Sequence, residues 1–321
     1  MGTEHEPLTG NGSSNGHTSA NAPVDEDGDG TISWAELATE TGGRLAAAGI
    51  EGAQRHGRLI VMRACGADSN DWPELSAEPA TKRGVVAIDA MTARHLTGEP
   101  LQYVLSEWGF RHLELYIDRR VLIPRPETEV VAGAALAELH RLAPGNQPVT
   151  AVDLGTGSGA IGLSLLTEHL GVEMWMTDVS DDALAVARAN LAGVGQPGAR
   201  ARIATGSWFE ALPEELAGTL GLIVANPPYV ADSEVLPPEV AEWEPTEALF
   251  GGATGTEQVE HLILNGPRWL NPDGALVIEM SPPQVEPMVE MAADRFADAE
   301  VVIDLTGRRR GIVARKPRTS V

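Results

Sequence analysis

VTAVDLGTGSG, residues 149–159, is an apolar run of strand length that passes directly into three alternating glycines. The residues that follow, from Ala160 to about His169, have the apolar composition of a buried helix. A buried strand, a glycine turn and a helix in this order are typical of an α/β sheet, which binds ligands at the carboxyl ends of its strands. We therefore expect a ligand site at residues 155–159.

Similar apolar runs follow this unit along the chain. Runs that alternate with helical stretches predict a parallel α/β sheet with right-handed crossovers. The last run follows its predecessor after too few residues for a helical crossover, so we expect it to pair antiparallel at or near the sheet edge. The runs are VTAVDL (149–154), MWMTDV (174–179), ARIAT (201–205), GLIVAN (221–226), ALVIEM (275–280), EVVIDL (300–305) and GIVAR (311–315).

The N-terminal part of the chain has a different pattern. Residues 1–24 are rich in Gly, Ser, Asn and Thr and nearly lack large apolar side chains, so we expect a disordered tail. Residues 25–104 have apolar side chains at helical spacing, with Gly49 and Gly66 as stops, which predicts a small helical domain. Residues 105–120 alternate apolar and polar side chains and predict a β-hairpin linker. The α/β domain then covers residues 121–321.

The composition limits the possible functions. The 46 Asp and Glu residues and 23 Lys and Arg residues give a formal net charge of −23. Such a field repels phosphate backbones, so we expect no direct nucleic-acid binding. The one cysteine, Cys65, cannot form an intrachain disulfide, which suits a reducing compartment. Because no export signal and no run of the ~18 apolar residues needed for a membrane span is evident, we expect a cytoplasmic protein that binds no membrane.

The glycine loop by itself leaves three interpretations open. It suits an S-adenosylmethionine site, a structural turn, or a dinucleotide site, because residues 157–162 (GSGAIG) also satisfy the GxGxxG pattern. Asp178, at the end of the second run, is placed to accept hydrogen bonds from both hydroxyls of an adenosine ribose. The structural alternative for Asp178 is a helix cap, for which Ser180 is better placed. A ribose contact suits both cofactor classes.

Asn226-Pro-Pro-Tyr229 follows the run GLIVA directly and should leave the sheet beside the glycine loop. Its two prolines stiffen the backbone and remove two N–H donors, which leaves carbonyl groups in need of partners. The Asn226 side-chain oxygen and a fixed carbonyl can then accept both hydrogens of a planar NH₂ group, while the Tyr229 ring covers the substrate. Such a site suits methylation of an amide or exocyclic amine and requires no metal. A strand-ending turn is the alternative interpretation.

With these motifs the chain resembles the HemK-type peptide chain release factor N5-glutamine methyltransferases, which use S-adenosylmethionine. The resemblance runs from about residue 32 to residue 315. It implies a Rossmann-like seven-stranded methyltransferase sheet with a small N-terminal helical domain, which helps to hold the substrate, and a connecting β-hairpin. It also implies methylation of the glutamine in the Gly-Gly-Gln motif of class I release factors, and we expect a monomer. Besides NPPY, the blocks that carry the resemblance are GEPLQY (98–103), WGF (108–110), LIPRPETE (122–129) and WEPTEALFGG (243–252).

The resemblance assigns roles to individual positions. It implies that Asn226 and Pro227 hold the glutamine amide, that Tyr229 completes the substrate pocket, to which Pro228 also belongs, and that Asn226, Pro227 and Tyr229 are the catalytic residues. Arg125 matches a family motif without a clear chemical role, as does Glu127. The implied cofactor contacts are Gly155, Thr156, Gly157, Ser158, Gly159, Asp178 at the ribose, Trp208 near the adenine, and Asn226.

The chain also departs from the family at two places. Residues 254–256 read TGT where the family commonly has Asp-Gly-Leu, and Ser281 replaces a glycine in the segment EMSPPQ (279–284). Neither change touches the glycine loop or the NPPY tetrapeptide. We therefore expect altered local loop geometry and the same reaction.

Related activities and one binding module remain as alternatives. A ribosomal-protein glutamine methyltransferase shares NPPY but resembles the chain less at residues 101–103 and 124–129. A DNA adenine methyltransferase would need a basic surface, which the net charge opposes, and an NAD oxidoreductase lacks an evident hydride site. Residues 25–36 match every ligand position of an EF-hand calcium loop, although an acidic linker that caps the first helix is the alternative.

Deleting residues 1–24 should leave the melting temperature and turnover nearly unchanged, because this segment lacks the apolar side chains needed for docking. Calorimetry of the full and truncated chains measures the first quantity. A large drop in melting temperature on truncation would show that the tail packs against the folded part.

Overall fold

The computed structural model describes residues 32–318. The predicted tail and most of the EF-hand-like loop lie outside these residues. The chain divides into two compact units, of which the first ends at Ala90 and the second begins at Met91. This division lies inside a helix, Lys82–Leu96, so it differs from the boundary after residue 104 that the sequence predicts, and that boundary stays a prediction.

The first unit is helical. Its first helix begins with a capping box, in which the Ser33 hydroxyl oxygen accepts a hydrogen bond from the Glu36 backbone N–H, and the Glu36 carboxylate accepts one from the Ser33 backbone N–H at 2.8 Å. Glu36, the last position of the EF-hand-like pattern, therefore caps this helix. The helices are α1 Trp34–Ala47, α2 Ala53–Cys65, α3 Trp72–Leu75 and α4 Lys82–Leu96, which continues into the second unit.

Two glycines allow α1 and α2 to pack closely. A Cβ atom added at Gly57 of α2 would lie 2.4 Å from the backbone nitrogen of Gly42 in α1. The backbones of the two helices are therefore too close for a side chain at this point. Leu45 and Ile60 are fully buried in the same unit.

The second unit contains the strands and the remaining helices. The strands are β1 Trp108–Phe110, β2 Leu113–Leu115, β3 Val149–Leu154, β4 Val172–Asp178, β5 Ala201–Thr205, β6 Leu220–Ala225, β7 Val230–Ala231, β8 Phe250–Gly252, β9 Leu270–Glu279, β10 Phe296–Ile303 and β11 Arg309–Pro317. The helices are α5 Leu101–Leu105, α6 Pro126–Leu142, α7 Ala160–Glu168, α8 Asp181–Gly193, α9 Pro238–Ala241, α10 Glu257–Trp269 and α11 Val285–Arg295. None of the helices in the described part of the chain is long and apolar enough to cross a membrane.

The main sheet has seven strands in the order β10-β11-β9-β6-β3-β4-β5. The pairs between β5, β4, β3, β6 and β9 are parallel, whereas β11 pairs antiparallel with both β9 and β10. This arrangement confirms the predicted α/β sheet and its antiparallel last strand. Strands β1 and β2 form the predicted hairpin.

Both faces of the sheet are covered, as expected for parallel strands that read as continuous apolar runs. Along β3, Ala151 packs on the face covered by α6, α7 and α8, and Val152 packs on the face covered by α10 and α11. Strand β3 lies between β4 and β6, and its last residue, Leu154, pairs with Thr177 on one side and Ala225 on the other. The segments that follow these three strands therefore emerge side by side.

Replacing Gly57 by alanine should destabilise the protein by about 1–3 kcal/mol, because the new methyl group would force α1 and α2 apart. The matched control is Gly43→Ala, since Gly43 is exposed on α1 and an added Cβ meets nothing within 4 Å. This control should gain about 0.5–1 kcal/mol from helix propensity. Denaturant unfolding measures both changes, and equal effects of the two substitutions would contradict the close helix contact.

Candidate active site

The carboxyl ends of β3, β4 and β6 border a cavity of about 390 Å³. Most residues that the sequence predicts for the site line this cavity, although they lie far apart in the chain. Gly159, Pro227 and Tyr229 do not line it. The predicted site residues that line it are Gly155, Thr156, Gly157, Ser158, Asp178, Trp208, Asn226 and Pro228.

Gly159 has a structural position beside the cavity. It precedes the first residue of α7 with φ 86°, and a Cβ there would approach Met176 and Leu163 to within 2.9 Å. Only glycine combines this left-handed conformation with such close packing. The glycine therefore lets the loop turn into the helix.

Asp153 shapes the glycine loop from the end of β3. Its Oδ2 atom accepts hydrogen bonds from the Thr156 hydroxyl at 2.6 Å and from the Gly162 backbone N–H at 2.9 Å. The other oxygen, Oδ1, is buried and has no hydrogen-bond partner among the described residues. Burial raises the pKa of Asp153 to about 6. The residue lines the cavity, and its unpaired oxygen is buried beside it, which the sequence interpretation did not assign.

Asp178 is held by backbone groups at the end of β4. Its two carboxylate oxygens accept hydrogen bonds from the N–H groups of Gly157 at 2.9 Å and Ser180 at 3.0 Å. The Ser180 hydroxyl oxygen accepts from the Ala183 N–H and caps α8, so Asp178 is not the cap. Burial raises the pKa of Asp178. Each carboxylate oxygen retains capacity for a further hydrogen bond from a ligand.

Trp208 lies against the glycine loop in a conformation that is rare for a large side chain. Its φ is 46°, and its ring lies 3.4 Å from the position that a Cβ on Gly155 would occupy. The indole N–H donates a hydrogen bond to Gln258 Oε1 at 2.9 Å. Gln258 thus holds the ring at the cavity wall, and the sequence interpretation missed it because the two residues are distant in the chain.

Asn226 follows β6 and is half-buried at the cavity wall. Its side-chain N–H donates to the Thr128 hydroxyl at 3.4 Å, which leaves Oδ1 available as an acceptor. Pro227 is buried. The backbone carbonyl of Tyr229 accepts a hydrogen bond from Gln284 Nε2 at 2.9 Å. Burial raises the pKa of the Tyr229 phenol.

Gln284 also explains why the loop tolerates the departure at Ser281. Its Nε2 atom donates to the Gly255 carbonyl as well as to Tyr229, so it joins the NPPY segment to the loop after β8. Ser281 has φ −68°, which any residue adopts, and forms a capping box with Gln284. No glycine is required at this position.

Two ion pairs hold one wall of the cavity. The residues just before α6 and in its first turn form this wall. Arg125, which lines the cavity, pairs with the buried carboxylate of Glu244, and the second oxygen of Glu244 accepts from the Ile123 N–H at 3.1 Å. Glu127 lies 3.6 Å from Arg310 of β11. These contacts give Arg125 and Glu127 a role in positioning the wall.

Comparison with known proteins identifies the family. The model for the PrmC N-terminal domain matches residues 36–105, and the model for the methyltransferase small domain matches residues 134–242. A release factor glutamine methyltransferase of Bifidobacterium longum is 34% identical over 291 residues, which cover 87% of this chain and 98% of that protein. The chain belongs to the release factor glutamine methyltransferase family.

A second relative agrees with this assignment. The release factor glutamine methyltransferase of Cereibacter sphaeroides is 36% identical over 85% of this chain and 95% of its own length. A methyltransferase structure from Pyrococcus furiosus is 18% identical, with a TM-score of 0.43, and covers 63% of this chain and 89% of that chain. As a release factor glutamine methyltransferase, the protein uses S-adenosylmethionine, which argues against the dinucleotide interpretation of the glycine loop.

The cavity has features that suit S-adenosylmethionine. Left-handed glycines at 155 and 157 let a ligand approach the backbone closely. The unpaired Asp153 oxygen and the Asp178 carboxylate supply buried negative charge for a cationic ligand, and Trp208 supplies an aromatic surface. The lining therefore combines backbone, charged and aromatic groups in one cavity.

Replacing Asp178 by alanine should weaken S-adenosylmethionine binding by about 1.5–3 kcal/mol, the usual loss for hydrogen bonds to a charged group. Titration calorimetry measures the affinity. The matched control is Asp182→Ala. Asp182 is an exposed acid in α8, the helix that follows β4, and it does not line the cavity. Wild-type affinity in the Asp178 variant would remove Asp178 from the site.

Proposed function

We propose that this chain transfers the methyl group of S-adenosylmethionine to N5 of the glutamine in the Gly-Gly-Gln motif of class I peptide chain release factors. The observation that carries the proposal is that one cavity joins the glycine loop after β3 to Asn226 after β6. This arrangement occurs in a chain that aligns with 98% of a relative named as a release factor glutamine methyltransferase.

We assign cofactor binding to the loop and its neighbours. Residues 155–158 provide backbone groups, Asp178 accepts from the ribose hydroxyls, and Trp208 lies beside the adenine. The bound cofactor supplies an electrophilic methyl group on a positively charged sulfur. The carboxylates of Asp153 and Asp178 favour this charge because they are held in a partly dehydrated cavity, where electrostatic interactions are stronger than in water.

We assign alignment of the substrate to the NPPY segment. An amide nitrogen is a weak nucleophile because its lone pair is delocalised into the carbonyl group. Acceptors for both amide hydrogens return electron density to nitrogen and orient it toward the methyl group. Asn226 Oδ1 is one such acceptor, since the Asn226 amino group is directed to Thr128. The Pro227 carbonyl is the proposed second acceptor.

The remaining residues of the segment have supporting roles in this proposal. The Pro228 side chain lines the cavity, and Tyr229 is tied through its carbonyl to Gln284. Coverage of the substrate by the Tyr229 ring stays a prediction. We further propose that the N-terminal helical domain helps to hold the release factor, and that the protein acts as a monomer in the cytoplasm, where release factors work.

Mass spectrometry tests the proposal directly. A purified class I release factor is incubated with the protein and S-adenosylmethionine, and the peptide that contains Gly-Gly-Gln is analysed. It should gain the mass of one CH₂ group, and a release factor with Gln→Asn in this motif should gain none. Methylation of a ribosomal protein in place of the release factor would overturn the assignment.

Replacing Asn226 by alanine should lower turnover by about 10²–10³-fold, the usual effect of losing one preorganised polar contact in the transition state. Cofactor affinity should change far less. The matched control is Asn265→Ala on the exposed face of α10, which should keep full turnover. Single-turnover methylation and cofactor titration separate the two effects.

Asn226→Asp is the sharper variant, because it keeps an acceptor and adds a charge. It should retain the cofactor while misplacing the neutral amide. If Asn226→Ala kept more than about a tenth of wild-type turnover, the activation free energy would rise by ~1.4 kcal/mol or less. Such a rise is too small for the amide contact proposed here.

A further inference from the structure

Glu279 is a buried acid at the end of β9, which pairs with the strand that leads into the NPPY segment. It is the last residue of β9, and its side chain is 1% exposed. Neither carboxylate oxygen has a hydrogen-bond partner among the described residues. A buried carboxylate without full hydrogen bonding is costly to the folded state, so its presence here calls for a functional explanation.

The sheet register places Glu279 next to Asn226. Strands β6 and β9 are parallel neighbours, and Ala225 pairs with Ile278. Asn226 and Glu279 each follow one member of this pair, so they occupy adjacent positions at the sheet edge. Ala225 and Ile278 both pack on the face covered by α10 and α11, and alternation along a strand directs the next residue to the opposite face, where α6 lies.

Thr128 of α6 is hydrogen-bonded to Asn226 and lies near Glu279. Its hydroxyl accepts the Asn226 side-chain N–H at 3.4 Å. The same hydroxyl, with that of Tyr229, lies close enough to Glu279 to lower the pKa of this acid, as does the charge of Arg310 from β11. Burial and the charge of Glu127 act in the opposite direction, and the pKa of Glu279 is raised to about 7.

We propose that ionised Glu279 is a positioning residue that sets the orientation of the Asn226 amide through the Thr128 hydroxyl; this role rests on the methyltransfer function proposed above. A carboxylate has no hydrogen to donate, so in this proposal the Thr128 hydroxyl turns its single hydrogen toward the otherwise unpartnered Glu279 carboxylate. Thr128 can then only accept from Asn226. The Asn226 amino group turns to Thr128, and Oδ1 is left for the substrate amide.

Protonation of Glu279 removes this constraint. A neutral carboxyl group donates to the Thr128 hydroxyl, whose own hydrogen becomes free to bind Asn226 Oδ1. The Asn226 amide can then rotate and present its N–H groups to the substrate NH₂ group. Two hydrogen-bond donors then face each other and form no hydrogen bond. The substrate nitrogen is then no longer held in line with the methyl group.

The pH dependence of turnover tests the proposal in the intact protein. The wild-type kcat should rise with pH through a midpoint near 7, because the ionised acid is the active form. Glu279→Gln should have about tenfold lower kcat, the scale of a misaligned contact, and should lack this midpoint. The KM for S-adenosylmethionine should stay near the wild-type value. A wild-type kcat that is flat between pH 6 and 8 would overturn the proposal.

Two Thr128 variants test the connecting hydroxyl. Thr128→Val keeps the volume and removes the hydroxyl, so it should lower kcat by a similar factor and abolish the pH midpoint. Thr128→Ser restores the hydroxyl and should recover most of the lost turnover. Adding Glu279→Gln to Thr128→Val should cause little further loss, because both act through one contact. Full turnover in Thr128→Val would overturn the proposal.

Stability separates positioning from a merely structural role. The folded protein raises the pKa of Glu279 above its ordinary value of 4.5, so it binds this proton more tightly than the unfolded chain does. Stability from this group is therefore lost as the pH rises toward 7. Glu279→Gln should then melt no lower than wild type at pH 8, although its turnover falls. A lower melting temperature together with an unchanged pH profile would indicate a structural role and overturn the proposal.

A substrate-free readout distinguishes failure of this inference from failure of the proposed function. The side-chain ¹⁵N amide resonance of Asn226, assigned by its loss in Asn226→Ala, should shift with pH through a midpoint near 7 in wild type and not in Glu279→Gln. If the shift occurs but no release factor is methylated, the proposed function fails and the coupling of Glu279 to Asn226 stands. A resonance that does not titrate overturns the coupling, whatever the activity.

Discussion

The position of β3 between two parallel neighbours is the constraint on which the site depends. Because Leu154 pairs with Thr177 and with Ala225, the glycine loop, Asp178 and Asn226 all lie at one edge of the sheet. Parallel pairing requires long crossover connections, so these segments are distant in the chain although they are adjacent in space. The helices on both faces bury the strands and keep the register fixed. Backbone hydrogen bonds of the sheet thus fix where the glycine loop and the NPPY segment begin, and the side chains of Asp153 and Gln284 then hold these segments.

Buried acids place negative charge at the carboxyl ends of the strands, and their burial reduces the stability of the folded protein. Burial raises the pKa of Asp153 to about 6, from an ordinary value of 3.8, and that of Glu279 to about 7. Both groups therefore lose stabilising free energy as the pH rises through these ranges, since the unfolded chain releases the protons more readily. The compensation is functional. In the proposed function, a cationic cofactor favours the ionised form of Asp153, and an ionised Glu279 orients the Asn226 amide.

The sequence predicted the sheet well because buried parallel strands read as uninterrupted apolar runs, and β3 and β5 begin and end where these runs do. Strand β9 begins at Leu270, five residues before the predicted run at 275, because Pro272 and Gly274 interrupt the apolar pattern there. At the site, spacing predicted residues that follow strand ends. It could not predict the contact of Trp208 with Gln258 or the unpaired Asp153 oxygen, because these depend on packing between distant segments. The roles of the predicted residues stay proposals.

A crystal structure of the protein with S-adenosylhomocysteine and a peptide that contains Gly-Gly-Gln tests the central claim most directly. The account predicts that the glutamine amide nitrogen lies within hydrogen-bond distance of Asn226 Oδ1 and the Pro227 carbonyl and points at the cofactor sulfur, with Asp178 on the ribose hydroxyls. A glutamine side chain bound away from Asn226, or a cofactor bound outside the cavity between β3 and β6, would contradict it.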